Sequence, residues 1–498
     1  MEVTPEPPQD PRPSWGLPGL LIAAAALALY AVVLAWNMGA CAGGSDASGY
    51  FNHARLLGEA RLHVPARTLA VLIPTPEESY LYVPLGMKPA PDGDGLVPTY
   101  ASGLPLLILA AQAFAGWTHA ADWTLGIHAV LGVLLTYAAG RKFGLSVRWS
   151  ALAAAVLATS PLYLFMSLQA MSDVPALVWS TAAVLAAWNA RERPCWAGAA
   201  GFAVGIAVLI RPNNVLLAAP LALALGLSPR RWLWLAAGAL PAAAFFCAHS
   251  HAAYGSFLAT GYGDTRSSFD TALAGLTLRH YALWLPRLLT PIAVLALGLP
   301  WIAFTERRAA AVLGAWAFVY LAFFAIYFNT HETWWYLRFL LPAAPALVVG
   351  GLKVARGIAV RWTRCAPRLA WAAALALTLV SAVHWTRKLD ALSIGRGELK
   401  YARTADWVQA HLPANAVLAV MEVSGAMFYY TPVTFVRWDQ IEAGDFGRIA
   451  SAARSAGRPI YAVLFPFETG VALNERMPGR WAKVGSVDDV TVWLWNGP

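Results

Sequence analysis

Single ionisable residues stand at the edges of long apolar runs in this sequence. No charged residue occurs between Arg12 and Asp46, and Asp46 directly follows that run, in SDASGYFNHARLLGEARLHV. Asp173 precedes the apolar stretch VPALVW, while Arg211 in LIRPNNVL and Arg338 in WWYLRFLLPAAP flank others. A carboxylate can act as a general base, and arginine suits phosphate because its guanidinium offers paired donors and keeps its charge. A base with phosphate-binding arginines at a lipid boundary fits a substrate whose phosphate is anchored in the membrane.

Each of these residues also fits a purely structural role. Asp46 and Asp173 stand where helices would start, and aspartate is a favoured helix cap. The two arginines are typical of side chains that reach from the membrane edge to water. His331 and Glu332, in NTHETWW, also suit a solvated loop.

Metal and nucleotide sites have little support in the sequence. Four cysteines fall in four different segments, without the spacing of a zinc site or a disulfide framework. His249 and His251 are two residues apart and would lie on different faces of a helix. The DGD stretch at 92–94 resembles an acidic nucleotide-sugar motif, but its flanking glycines and prolines favour a turn. No glycine-rich phosphate-binding fingerprint occurs.

The composition is that of a membrane protein. Of 498 residues, 58% are hydrophobic and only 13% are charged, against about 25% charged in soluble domains. The net charge of +9 comes from short basic clusters between apolar runs, which is the pattern of membrane topology signals. Because no continuous basic face is available, binding to nucleic acid is not expected.

Crossing a bilayer takes about 20 apolar residues, and runs of this kind predict about eleven spans. They lie near 15–38, 122–140, 147–165, 174–190, 195–210, 213–228, 232–253, 282–304, 309–327, 338–352 and 369–385. A twelfth run, 102–117, is shorter and begins with glycine and proline, which favours a re-entrant or interfacial helix. We expect a mainly α fold, a polytopic helical membrane bundle.

Charge predicts the orientation of this bundle. With eleven spans, one set of short loops holds fourteen Lys and Arg residues and the other holds four, Arg211, Arg266, Arg279 and Arg338. Cytoplasmic loops are rich in Lys and Arg, so residues 1–14 are predicted to form a cytoplasmic tail. Residues 41–121 are then predicted to form the first extracytoplasmic loop. The four residues proposed for chemistry are expected on the outer side; they are Asp46, Asp173, Arg211 and Arg338.

Two further elements are predicted outside the membrane. Tyr50, Ala54 and Leu57 share one helical face beside Phe51, opposite several polar side chains, which indicates an amphipathic helix along the membrane surface. Residues 387–498 alternate between strand and helix patterns, which predicts a small extracytoplasmic α/β domain. The helices are TADWVQAHL and DFGRIASAARSA, and the strands are AVLAVMEV, VTFVRW, PIYAVLF and VTVWLW.

The segments SDASGYFNHARLLGEARLHV, SLQAMSDVPALVW, RPNNVLL and WWYLRFLLPAAP, in this order and spacing, resemble the GT-C glycosyltransferases. They are most similar to the protein O-mannosyltransferase and aminoarabinose-transferase type, glycosyltransferase family 39 and relatives. The resemblance covers residues 15–386, the expected transmembrane domain. The segment DWVQAHLPANAVLAVMEVSGAMFYYTP resembles extracytoplasmic domains appended to bacterial members.

This resemblance implies an inverting transfer of a sugar from a polyprenyl-phosphate donor to an acceptor hydroxyl on the outer side of the bacterial plasma membrane. Asp46 matches the family's acid of the first loop, which takes the hydroxyl proton. Asp173 matches the acid of the second outer loop, which helps to hold the acceptor or a metal. Binding of the donor phosphate falls to Arg338, Arg211 and Lys88. Substrate contacts are expected from Tyr50, His53, His331 and Glu332.

Several alternatives stay open from the sequence. Ala47 follows Asp46 where some eukaryotic members have an acidic pair, which disfavours protein mannosylation. The acceptor stays open as a lipid, a glycan or a protein. A divalent metal is possible in this group, and no residue here is assigned to it. A transporter or flippase of lipid-linked sugars and an oligosaccharide polymerase or ligase are the other candidate functions. Ion-coupled transport is disfavoured because the span centres, apart from His128, are almost free of ionisable groups.

Overall fold

The computed structural model describes residues 16–69, 80–93, 95–362, 366–442 and 444–498. The predicted cytoplasmic tail, the third residue of the DGD stretch and the cysteine at 365 lie outside these ranges. The described chain is mainly α-helical, with a helical bundle followed by a small mixed sheet. The predicted fold class is confirmed in these terms.

Thirteen helices make up the first part of the described chain. They are α1 (Leu17–Asn37), α2 (Ser45–Gly58), α3 (Gly103–Lys142), α4 (Val147–Ala158), α5 (Pro161–Ser167), α6 (Asp173–Asn189), α7 (Trp196–Ile210), α8 (Ala218–Leu225), α9 (Pro229–Tyr254), α10 (Ala274–Leu288), α11 (Leu299–Ala325), α12 (Ala344–Trp362) and α13 (Ala366–Lys388). Short 3₁₀ helices join them at Pro212–Leu217, Arg266–Ser268, Thr271–Leu273, Pro291–Gly298 and Trp334–Ala343. A large apolar core, built mainly from α3 to α6, α11 and α12, holds the bundle together.

Within the described ranges, six helices are long and apolar enough to cross a membrane, or up to seven if the bent pair α4 and α5 forms one span. The predicted number of about eleven is not confirmed. Two predicted spans, 195–210 and 213–228, correspond to the short apolar helices Trp196–Ile210 and Pro212–Leu225, on either side of Arg211. The fifteen residues of α7 extend roughly 22 Å at 1.5 Å per residue, less than the roughly 30 Å of a hydrocarbon core.

Two other predicted segments differ in their connections. The run 102–117 is helical, but it joins the following span directly, through a break at Gly116 with a φ of 68°. Glycine adopts this left-handed conformation without the cost of a Cβ. The predicted span 282–304 is not one helix, because α10 ends at Leu288 and the 3₁₀ helix Pro291–Gly298 separates it from α11.

The remaining elements build a short hairpin and the C-terminal α/β part. The hairpin in the first loop pairs β1 (Met87–Pro89) with β2 (Leu96–Pro98). The C-terminal part contains α14 (Ile394–Glu398), α15 (Lys400–His411), β3 (Val417–Val420), α16 (Ser424–Tyr430), β4 (Thr434–Arg437), α17 (Phe446–Ser455), β5 (Ile460–Leu464), α18 (Pro466–Val471), β6 (Trp481–Val487) and β7 (Val490–Trp495).

The C-terminal sheet has the strand order β4-β3-β5-β7-β6, with β4, β3 and β5 parallel and the last two strands antiparallel. Every helix and strand predicted between 404 and 495 is present. The short helices α14, α16 and α18 and the strand β6 were not predicted, because none of them shows a clear period of apolar residues. The domain boundary at 387 stays a prediction.

Helix α2 does not present its polar face to water as predicted. Asn52 is 5% exposed and donates hydrogen bonds to the carbonyls of Ser48 and Gly425. Arg55 donates to the carbonyl of Tyr429 at 2.7 Å. The polar face is therefore covered by α16 of the C-terminal part, while the apolar face packs on α3.

Candidate active site

Asp46 lies in the first turn of α2, where the chain enters the helix through two glycines. The helix cap is Gly44, and no side chain caps this end, so the alternative role of Asp46 as a cap is wrong. Its Oδ2 instead accepts a hydrogen bond of 2.8 Å from Nη2 of Arg338, which lies 292 residues away in the sequence. The Asp46 side chain is 24% exposed, and that of Arg338 is 12% exposed.

The surroundings of Asp46 keep it ionised. Burial alone would raise the pKa of its carboxyl group, since burial disfavours the charged form. The Arg338 guanidinium, a hydrogen bond with Tyr100 and the more distant Arg211 outweigh burial and hold this pKa below its ordinary value. Tyr100 is fixed in turn by a 2.7 Å hydrogen bond between its hydroxyl and Ser45.

A second ion pair lies beside the first. Asp173, in the first turn of α6, is fully buried, and its Oδ1 is 2.9 Å from Nη1 of Arg211. Arg211 also donates through Nε to the hydroxyl of Ser172 at 3.0 Å, and the Tyr50 hydroxyl donates to the same oxygen at 3.0 Å. Asp173 makes no capping bond to the helix. Its alternative role as a cap is therefore also wrong.

One aromatic ring connects the two pairs. The guanidinium carbons of Arg211 and Arg338 each lie 5.3 Å from the centre of the Phe339 ring. Such contacts add cation–π attraction. The 3₁₀ helix Trp334–Ala343 supplies both Arg338 and Phe339, and it packs against α6. Arg211 is therefore buried and Arg338 is mostly enclosed, and neither side chain extends freely toward water.

Arg338 has donors without an oxygen acceptor. Its Nη1 contacts only the sulfur of Met171, at 3.6 Å, which is a weak acceptor. Its Nε is buried and has no hydrogen-bond partner. A buried donor without a partner is costly, so this guanidinium is suited to an additional anionic ligand.

A cavity of about 300 Å³ opens beside Asp46 and Arg338. It is lined by Gly43, Gly44, Ser45, Asp46, Ala47, Phe165, Met166, Gln169, Met171, Trp335, Tyr336, Arg338, Glu398, Tyr401 and Glu422. Its walls thus come from α2, α5, the 3₁₀ helix Trp334–Ala343 and the C-terminal part. Such a mixed apolar and polar concave site is typical of a ligand pocket.

The C-terminal part contributes an acidic wall to this cavity. The Tyr401 hydroxyl donates to Oε1 of Glu422 at 2.7 Å. Burial, opposed by Lys400 and reinforced by Glu422, raises the pKa of Glu398 to about 7. The wall fits closely against the entry of α2, since a Cβ on Gly43 would lie 2.5 Å from the Glu398 carboxylate.

Tyr50 joins the second ion pair, but His53, expected to contact substrate, is placed elsewhere. His53 is 1% exposed, and its Nε2 lies 3.1 Å from Nε2 of His249 in α9. Burial, and then the neighbouring His249, lower the pKa of His53 to about 3. His53 is therefore a neutral packing partner of α9 and does not line the cavity.

Three further expected residues also lie away from the cavity lining. The Lys88 ammonium, in β1, is 5.0 Å from the centre of the Tyr254 ring. His331 and Glu332 lie in the turn before the 3₁₀ helix Trp334–Ala343, where Glu332 is exposed. The structure does not bring Lys88, His331 or Glu332 into contact with Asp46 or Arg338.

Several residues at the site escaped sequence reasoning. Tyr100 and Ser172 are single hydroxyls, and Glu398 and Glu422 belong to a segment whose polar pattern is that of an ordinary soluble domain. Of these residues, Ser172 had the clearest indication in the sequence, because it directly precedes Asp173 in SLQAMSDVPALVW. Among the residues that the structure describes, no group of three or more His, Cys, Asp or Glu side chains could hold a metal ion.

No protein-family model and no curated protein matches this sequence. Solved structures do match. ArnT from Cupriavidus metallidurans bound to undecaprenyl phosphate superposes with a TM-score of 0.60 at 15% identity, over 95% of this chain and 97% of that one. The apo oligosaccharyltransferase of Archaeoglobus fulgidus gives 0.52 at 14%, over 89% and 69%. The arabinofuranosyltransferase AftD from Mycobacteria gives 0.55 at 14%, over 98% and 40%.

Proposed function

This chain has the GT-C fold, and from that fold and the cavity beside Asp46 we propose that it is a membrane glycosyltransferase. It moves a sugar from a polyprenyl-phosphate donor to an acceptor hydroxyl, with inversion at the anomeric carbon. The reaction takes place at the extracytoplasmic face of the bacterial plasma membrane. The N-terminus lies in the cytoplasm, and residues 387–498 lie outside.

The observation that carries this proposal is the environment of Arg338. Its guanidinium lines the cavity, bonds to Asp46 through Nη2, and has Nε and Nη1 without an oxygen acceptor. Phosphate oxygens are natural partners for guanidinium donors that lack an oxygen acceptor. The proposed base, Asp46, and the proposed phosphate-binding residue, Arg338, are thus in direct contact.

The chemical class of the donor follows from the same phosphate site. A phosphate linked to a polyprenyl chain needs a buried cation at the membrane edge and an apolar surface for its tail, and a helical bundle in lipid supplies both. The similar ArnT structure is bound to undecaprenyl phosphate. The Archaeoglobus fulgidus oligosaccharyltransferase has been solved with an inhibitory peptide and a dolichol-phosphate. These ligands support a polyprenyl-phosphate donor for this chain.

Asp46 acts as the general base. The acceptor oxygen attacks the anomeric carbon, its proton passes to a carboxylate oxygen of Asp46, and the bond between that carbon and the phosphate oxygen breaks. The departing polyprenyl phosphate gains negative charge, which Arg338 stabilises electrostatically. As the phosphate engages Arg338, the guanidinium acts less on Asp46, and the carboxylate becomes a stronger base.

Asp173 is a positioning residue in this scheme. It is fully buried and paired with Arg211, so it does not reach a substrate in the cavity. It holds the Arg211 guanidinium, which fixes Ser172 and, through it, the hydroxyl of Tyr50. This differs from the direct contact with acceptor or metal that the family resemblance implies. Lys88, His331 and Glu332 have no assigned part in the reaction.

The test is Asp46→Asn in the full-length protein, with Asp264→Asn as the matched control. Asp264 also forms an ion pair with an arginine, Arg266, but on an exposed loop. Lipid extracts and glycans of a deletion strain complemented with each variant are compared by mass spectrometry, with membrane levels checked by immunoblot. The product that is restored by the wild type and by Asp264→Asn should be absent with Asp46→Asn. Full restoration by Asp46→Asn would refute the proposed base.

A further inference from the structure

Three arginines converge at the end of the bundle opposite Asp46. Helix α6 begins at Asp173 beside the cavity and ends at Asn189, and its seventeen residues extend roughly 25 Å. Arg191 follows that far end. Arg231, in the first turn of α9, and Arg308, in α11, meet it there. The cluster of Arg191, Arg231 and Arg308 therefore lies at the far end of α6 from Asp173.

The three guanidinium groups share the last carbonyls of α8. Arg191 donates through Nε, and Arg308 through Nη2, to the same Ala224 carbonyl, each at 3.0 Å. Arg231 donates through Nη1 to the adjacent carbonyl of Leu225. These carbonyls carry the negative end of the helix dipole. Two cations on one acceptor and a third on its neighbour make a dense positive site.

The positive charge of this cluster is only partly compensated. Within the described ranges, none of the three arginines forms an ion pair with a carboxylate. Glu192 acts on Arg308 from a distance and offsets part of the charge. The Nε atoms of Arg231 and Arg308 are buried and have no hydrogen-bond partner. Buried donors of this kind point to an anionic ligand.

Exposed apolar and aromatic side chains surround the cluster. The Arg308 guanidinium lies 4.0 Å from the centre of the Trp188 ring, and Trp232 donates its indole N–H to the carbonyl of Gly226. Tryptophan is enriched where a membrane meets water. Leu227 and Leu233 beside the cluster are 99% and 71% exposed, so they offer apolar contacts to acyl chains.

We infer that the Arg191, Arg231 and Arg308 cluster binds the phosphate headgroup of an anionic membrane lipid. Arginine forks match phosphate oxygens, and basic pockets between membrane helices at the cytoplasmic side take such headgroups. Other arginines at this end lack the arrangement, since Arg356 simply donates to the carbonyl of Gly144. This site is separate from the cavity and does not depend on the proposed reaction.

The test is lipid binding by the purified full-length protein in neutral detergent, measured by native mass spectrometry. The probes are dioleoyl phosphatidylglycerol, dioleoyl phosphatidylcholine and inorganic phosphate. The wild type should retain phosphatidylglycerol in preference to phosphatidylcholine. Arg191→Gln with Arg308→Gln should weaken phosphatidylglycerol binding by about tenfold or more, from roughly 1 kcal/mol per arginine near the surface.

Two controls make this result specific. Arg148→Gln with Arg356→Gln removes the same charge from the same end, but not from the cluster, and should leave the preference unchanged. Arg191→Lys with Arg308→Lys keeps the charge and should retain part of the affinity, which separates lipid binding from a folding defect. The proposal is overturned if the glutamine variant keeps wild-type affinity or if the control pair loses as much. Displacement of the lipid by an equal concentration of inorganic phosphate would assign the site to a free anion instead.

Discussion

Replacing Arg338 by glutamine should strongly weaken the binding of undecaprenyl phosphate. The change removes the guanidinium that lines the cavity while keeping a polar side chain of intermediate length. It does not require the transferred sugar to be known, because the phosphate-bearing lipid is the common product of the proposed reaction. The loss is a direct measure of the role of Arg338 toward phosphate.

The size of the effect follows from the two donors of Arg338 that lack an oxygen partner, Nε and Nη1. A hydrogen bond to a charged group contributes about 1.5–3 kcal/mol. Losing two such bonds costs about 3–6 kcal/mol, which corresponds to roughly 10²- to 10⁴-fold in Kd. Because the side chain is only 12% exposed, solvent screening reduces this little. Arg338→Lys keeps a point charge but loses the planar guanidinium, so its Kd should lie between those of the wild type and Arg338→Gln.

The assay is titration of the purified full-length protein with undecaprenyl phosphate in detergent, followed by native mass spectrometry. Arg266→Gln is the control, since Arg266 is also paired with an aspartate but is exposed on a loop. It should bind as the wild type does. An Arg338→Gln protein that unfolds at the wild-type temperature and binds with unchanged Kd would refute the assignment of the phosphate to this cavity.

The same substitution should change the pH dependence of transfer. Arg338 is the main group that keeps the pKa of Asp46 below its ordinary value against the opposing effect of burial. Without it, burial raises that pKa, so the carboxylate becomes protonated at a higher pH. Since only the ionised form accepts a proton, the acidic limb of the pH–rate profile should move to higher pH. A rate that falls equally at every pH would contradict this coupling.

Two further predictions concern stability. Asp173→Asn leaves the Arg211 guanidinium buried without its carboxylate, which should lower the free energy of unfolding by about 3–5 kcal/mol. The double variant with Arg211→Gln should be destabilised by less than the sum of the two single variants when thermal unfolding is measured. Strictly additive losses would contradict the pairing. Glu398, whose pKa burial and Glu422 raise to about 7, stays protonated in the folded protein where the unfolded chain has released its proton. Stability should therefore fall as pH rises from about 5 to about 7, and Glu398→Gln should flatten that dependence; an unchanged slope would exclude Glu398 as its source.

The sequence indicates which charged residues lie at the ends of apolar segments better than it indicates their contacts. Asp46 and Arg338 stand out because each is a single charge beside an apolar run, and both were expected on one side of the membrane. Their hydrogen bond joins residues 292 positions apart, and no local period encodes such a pairing. The predicted number of spans is not confirmed, because an apolar run does not show where a helix breaks within it. The predicted span 282–304, for example, is divided by the 3₁₀ helix Pro291–Gly298.

The acidic wall formed by Glu398 and Glu422 could not be predicted from the sequence, for a different physical reason. In a soluble α/β segment, exposed glutamates are ordinary, and only docking turns Glu398 and Glu422 toward the cavity. The docking is close, since a Cβ on Gly425 would lie 2.0 Å from the Ser48 hydroxyl, and Arg55 bonds to the carbonyl of Tyr429.

The C-terminal part thus covers the polar face of the helix that carries Asp46 and closes one side of its cavity. The cavity is therefore bounded by two surfaces of opposite character. One is the aromatic side formed by Trp335 and Tyr336, and the other is the acidic side formed by Glu398 and Glu422. Carboxylates accept hydrogen bonds from several hydroxyl groups at once. We propose that the C-terminal part selects the acceptor, while the membrane bundle holds the donor.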